Sequence, residues 1–214
     1  MYIENPFRSK QHLKNSKYYA IENGQVKNNS LRSILTDQLV YRPHNEVFRY
    51  VASKNHYALG VNSSYHSNCY RLGVYEHISS DNATAGLAHD LMQHVQDHSG
   101  KDQFVSFIAT FLGKNQFSER EFSILMWQQL YKLHQLDKEH FAWDHSVSQI
   151  PTAQNNGFSF GGKGFLVTGL HANSLRSSRT FAYPVIIFNL HAHLKAMHRE
   201  GTYQKLSSMI RKRA

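Results

Sequence analysis

The stretch Gly169-Leu-His-Ala-Asn-Ser-Leu-Arg-Ser-Ser-Arg-Thr-Phe-Ala-Tyr-Pro-Val-Ile-Ile-Phe-Asn-Leu-His-Ala-His193 decides how this chain is read. Inside it, Val185 to Phe188 is an unbroken apolar run of β-branched and aromatic residues, the pattern of a strand buried on both faces. Two histidines, His171 and His191, bracket that run, and Arg176 and Arg179 precede it. A rigid strand with an imidazole at its exit and guanidinium forks on its entry loop makes a wall for a flat, anionic, metal-bearing ligand. The alternative is a plain core strand with a solvated basic loop, each ring satisfying a buried carbonyl.

Outward from this stretch, strands and helices are interspersed. Residues 158–167 predict a hairpin, with glycines between two apolar arms. Residues 104–112 and Cys69–Tyr75 predict two more strands. Ser118-Glu-Arg-Glu121 is a capping box, with Phe117 placed to staple onto Phe122, and it opens a helix to about Leu136. Asp81 or Asn82 is expected to cap an earlier helix whose stripe is Leu87, Leu91 and Val95, with His94 and His98 half-buried at its edge. His94 and His98 have a zinc-ligand spacing but lack a third ligand in sequence, and no glutamate stands where a zinc protease carries its base.

Near the N-terminus, Ser30 is a cap for a helix that Pro43 ends, and a second short helix starts at His44. Residues 62–68 predict a loop, and a last helix carries Leu206, Met209 and Ile210. Short connections between neighbouring strands favour an α+β single domain, with a mixed or antiparallel central sheet flanked by helices. Residues 1–28 form a polar N-terminal arm docking through Phe7 and Tyr18 or Tyr19, and residues 29–214 form the domain.

The composition, 41% hydrophobic and 18% charged, is that of a globular chain. The apolar runs stop short of the roughly 20 residues of a membrane span, and the first residues carry no signal-peptide core. The expectation is a soluble, cytoplasmic protein without a membrane partner. Cys69 is the one cysteine, so no internal disulfide forms; a small buried hydrophobe is the bland reading and a metal-ligating thiolate the sharp one. A net charge of +9 calls for an anionic partner. The cations are spread along the chain, with one dense run at Arg211-Lys-Arg213, so nucleic acid is the weakest candidate. The fifteen histidines invite a metal or haem reading.

From Phe48 onward the chain resembles the YqcI/YcgG family. The resemblance is carried by Cys69-Tyr-Arg-Leu-Gly-Val-Tyr75, by Trp127-Gln-Gln-Leu-Tyr-Lys-Leu-His134 followed by Asp137, and by Trp143-Asp-His-Ser-Val-Ser148. Phe158-Ser-Phe160, Gly169-Leu-His171 with Arg176 and Arg179, and Pro184-Val-Ile-Ile-Phe-Asn-Leu-His191 complete it. The branch it resembles most includes haem-dependent N-hydroxylases of guanidino groups. The chain departs from that pattern at His56-Tyr-Ala58, where Ala58 stands in the place relatives commonly give to cysteine.

The resemblance therefore implies haem b with O2 as co-substrate, a small amine or guanidino substrate, and an external electron donor. A homodimer is also compatible with it. His171 is the favoured axial ligand, with His191 as the alternative and His44 and Cys69 behind them. Arg176 and Arg179 would pair with propionates or a substrate carboxylate, and Tyr183 and Phe188 would line the slot. Asp144 either anchors a guanidinium or caps the Ser146 turn. Three function classes follow: a haem-dependent N-hydroxylase, a non-enzymatic haem-binding or haem-handling protein, and a basic nucleic-acid-binding module.

Overall fold

The computed structural model describes residues 4–22, 25–27, 35–52, 69–100 and 104–199. The expected Ser30 cap, Ala58, the 62–68 loop and the last helix lie outside the described residues.

The apolar run forms strand β7, Val185–Leu190, buried along its whole length. Its side chains alternate between two cores: Ile186, Phe188 and Leu190 face one, Val185 and Ile187 the other. Its antiparallel neighbour β4, Ser106–Phe111, is buried throughout as well. β1 (Tyr18–Glu22), β2 (Gln25–Lys27), β3 (Cys69–Tyr75), β5 (Phe158–Phe160) and β6 (Lys163–Leu170) complete a seven-stranded sheet in the order β2-β1-β3-β4-β7-β6-β5. Only the β3–β4 pair is parallel. A parallel pair needs a crossover, which helix α3, Asp81–His98, supplies. The fold is a single-domain α+β architecture with a mixed sheet.

One sheet face is covered by α3 and by helix α4, Glu119–Asp137, and the other by helix α2, Leu35–Ala52. Helix α1 is Lys10–Asn15 and helix α5 is His191–Arg199. None of the described helices is long and apolar enough to cross a membrane.

Two local expectations are corrected. Pro43 does not end a helix; it sits inside the continuous α2. Val40, Val47 and Tyr50 are buried in the same core on both sides of it, and this shared burial offsets the hydrogen bond that proline removes. The cap of α3 is Ser80, whose hydroxyl accepts from the Ala83 amide, so Asp81 becomes the first helical residue. The capping box at Ser118 forms as the spacing predicts.

The hairpin between β5 and β6 turns on Gly161 and Gly162, with φ of 60° and 66°. Two successive positive φ values suit glycine and match the twist of the flanking strands. The Gly161 amide donates to the buried Asp137 carboxylate at 2.7 Å, and burial pushes that carboxyl up to about 6.

The N-terminal segment packs closely against this frame. Phe7 is buried against Phe160, β1 pairs with β3, and Gly86 lets the Asn15 carbonyl approach α3 where a Cβ would stand 2.1 Å from its oxygen. Asp90, fully buried on α3, fastens the arrangement: it accepts from the Ser16 hydroxyl, the Lys17 amide at 2.8 Å and the Tyr75 hydroxyl at 2.8 Å. Asp90→Ala strands these donors and is expected to cost on the order of 3 kcal/mol. Urea unfolding should show a lower midpoint at unchanged slope; a wild-type midpoint would mean that the segment docks without the carboxylate.

Candidate functional site

The residues singled out in the sequence fall in separate places. β6 and β7 pair antiparallel with Leu170 opposite Val185 and Phe165 opposite Leu190. His171 therefore lies beside the start of β7 and His191 beyond its end, with six residues of strand, roughly 20 Å, between them. They share no cavity. The expectation that both rings converge is corrected by this register, which the sequence alone does not specify.

His171 is buried, stacked on Phe122 at 4.5 Å, and its Nε2 lies 3.1 Å from the Glu119 carboxylate. His191 is half-buried at the start of α5, with Nδ1 3.2 Å from the Ser146 hydroxyl; burial and then Lys195 hold its pKa below the ordinary value, against Asp144. Phe188 is core, packed among Phe107, Phe158 and Phe165. Tyr183 lies near Phe181 on the opposite core. Arg176 is exposed, whereas Arg179 closes a 3-10 turn, Ser177–Arg179, and reaches a groove described below. Asp144 accepts from the Ser146 amide at 2.8 Å and the Gly164 amide at 2.6 Å, and so caps the Ser146 turn. His44 is buried near Tyr70.

Two constellations do form. The first joins the C-terminal end of α3 to α5. His94 is 0% exposed, and both of its ring nitrogens lack a hydrogen-bond partner among the described residues. Its ring lies 4.8 Å from that of His98 and stacks on Phe107 at 5.7 Å. Both histidines are buried outright, which corrects the half-buried edge expected from the helical stripe. His193, buried on α5, places Nε2 3.3 Å from the His98 carbonyl oxygen, so that nitrogen carries the proton and the lone pair falls on Nδ1. Burial, then His98, Arg71 and His193, hold the His94 pKa well below its ordinary value. His94 is thus held neutral by its burial and by the ionisable groups around it, of which Arg71 is a permanent cation.

The second constellation is a groove of about 450 Å³ between α4 and the β5–β6 hairpin. Trp127, Tyr131 and His134 line it from α4, Trp143 and Phe158 from the opposite side, and Arg179 from the turn. The Nδ1 of His134 is buried without a partner among the described residues, and the His134 ring meets Trp143 edge-on at 5.5 Å. The signal that could have found this groove was the set of quoted motifs, which converge here from four separate segments. The α5 partner of His94 and His98, His193, lay two residues past the motif ending at His191.

Together the mixed sheet, the buried imidazole cluster and the aromatic groove define a single-domain α+β protein that carries both constellations on one sheet face. The sequence pattern of the YqcI/YcgG family matches residues 48–214, and the chain belongs to that family. No curated protein and no solved structure matches it.

An orphaned buried imidazole costs folding free energy. His94→Leu is therefore expected to raise the urea midpoint of the ligand-free protein at pH 5.5. Because the folded pKa of His94 is depressed, the unfolded chain takes up the extra proton, and wild-type stability falls as pH drops below about 6.5. The variant should lose up to one proton of that slope; a pH profile parallel to wild type would contradict this.

Proposed function

We propose that the protein is a haem-dependent N-hydroxylase of a small amine or guanidino compound, with His94 as the imidazole presented to the iron. The single observation that carries the assignment to His94 is its fully buried, neutral ring with two unpartnered nitrogens beside His98, His193 and Arg71. The haem reading itself comes from the family branch that the motifs resemble.

The residues fit the group in kind. Haem needs one imidazole donor, apolar faces and cations for its propionates. His94 would supply the donor, Phe107 an aromatic face, and Arg71 a guanidinium whose present contacts, to Glu22 and the Tyr70 carbonyl, are at 3.5 and 3.4 Å. Among the described residues no three donor side chains are grouped to hold a bare metal ion, and a haem iron does not require three. When bound, the group supplies oxygen activation at iron, with electrons from a separate donor.

The chain's own contribution is to hold, orient and desolvate. The buried surroundings keep His94 unprotonated, so its lone pair is available near neutral pH. Asp97, one turn along α3 and partly buried, accepts from Gln93 and Tyr18 and retains lone pairs for a substrate cation.

Titration of the haem-free protein with haem is expected to give a Soret band saturating at one haem per chain. His94→Ala should remove or shift it, while His171→Ala and His191→Ala retain it. Oxygen consumption and an N-hydroxylated product with arginine or a related guanidine would then establish turnover. A wild-type protein that acquires no Soret band sinks the reading; a saturating band without product leaves a haem-binding protein.

A further inference from the structure

The groove between α4 and the β5–β6 hairpin is separate from the imidazole cluster and of different chemistry. Arg179 brings the one permanent side-chain charge on its wall, and no aspartate or glutamate lines it among the described residues. That guanidinium has no carboxylate partner among the described residues. Its backbone is fixed: the Arg179 amide donates to the Arg176 carbonyl at 2.8 Å, and the Arg179 carbonyl accepts from the His171 amide at 3.2 Å. The Tyr50 hydroxyl adds a hydrogen bond to the neighbouring Ser178 carbonyl. A forked cation on a pinned turn is prepared to receive a carboxylate.

The rest of the wall is aromatic. Trp143 lies edge-on to both His134 and Phe158, at 5.5 and 6.4 Å. Trp127 and Tyr131 stand at the lip with 58% and 64% exposure, unusual for side chains of this size on a helix that has a core to pack into. The His134 Nδ1 is a buried polar atom without a partner among the described residues. A volume of about 450 Å³ is within the range of small-molecule sites.

We propose that this groove binds a small planar aromatic carboxylate, its ring held among Trp127, Tyr131, Trp143 and Phe158 and its carboxylate paired with Arg179. A guanidino or amine cation is the wrong partner here, because it meets Arg179 and finds no acid. The inference does not rest on the haem reading, and its test is independent of iron.

The chain contains two tryptophans, and both line the groove, so their two indole N–H signals in a proton–nitrogen correlation spectrum report on it directly. The full-length haem-free protein is titrated with 2-naphthoate, 2-naphthamide and 2-naphthylmethylammonium. With 2-naphthoate both indole signals should move along one saturation curve, and the amide should bind about tenfold more weakly, the cost of losing a charge-assisted pair. The ammonium should bind more weakly still. Arg179→Gln should reduce naphthoate affinity to that of the amide while leaving the amide unchanged. Leu166→Glu, at a wall position 42% exposed and so tolerant of charge, should repel naphthoate in the same way.

Indole signals that stay fixed in millimolar naphthoate would overturn the proposal. So would an acid-to-amide ratio that survives Arg179→Gln, or an ammonium that binds as well as the acid. Haem that moves the same two signals and displaces naphthoate would also overturn it, by making the groove the porphyrin slot. The Soret experiment on His94→Ala distinguishes that outcome from failure of the oxygenase reading.

Discussion

Strands β4 and β7 expose nothing to solvent, and a sheet with two such strands at its centre must be covered on both faces. This constraint organises the molecule. Helices α3 and α4 take the face lined by Phe107, Phe111, Ile186 and Phe188, while α2 takes the face lined by Ile108 and Ile187. Because β3 and β4 run parallel, α3 has no freedom to lie elsewhere: it is the connection as well as the cover. Asp90 then ties α3 to β3 and to the N-terminal segment through donors from two parts of the chain, Ser16 with Lys17 and Tyr75, so a buried carboxyl group sets where α3 sits along the sheet.

How much of this was legible in the sequence depends on whether the information is local. The continuous apolar run of β7, the capping box at Ser118 and the paired glycines at 161 and 162 each announce an element through their own chemistry, and each forms. Pro43 misled because proline's local cost was weighed without the burial of Val40, Val47 and Tyr50 in one core. The site was harder still. Antiparallel register places His171 and His191 at opposite ends of β7, although they flank it closely in sequence. His94 and His98 read as helix-edge residues because periodicity reports one helix's stripe and not the α5 side chain that later closes over it. Arg179 was found among candidates drawn from the right motif, yet its neighbours in the groove come from α4 and from Trp143, residues quoted for the family resemblance and given no site role.

The two constellations share a sheet face but differ in character. Around His94 the environment is dry, and the nearby ionisable groups His98, Arg71 and His193 penalise protonation. The unpartnered ring nitrogens there are carried at the expense of stability. In the groove the aromatic walls are partly wet and the charge is borne by a fixed guanidinium at the turn. Two of the chain's guanidinium groups thus stand in different settings, Arg71 near His94 and Arg179 at the groove.

The ends of the sheet carry a consequence for self-association. Among the described residues the outermost strands, β2 and β5, are three residues each, so each offers only a short row of main-chain donors and acceptors to a strand laid beside it. Contact with another chain along those two strands would rest on side chains more than on a continued ladder of main-chain hydrogen bonds.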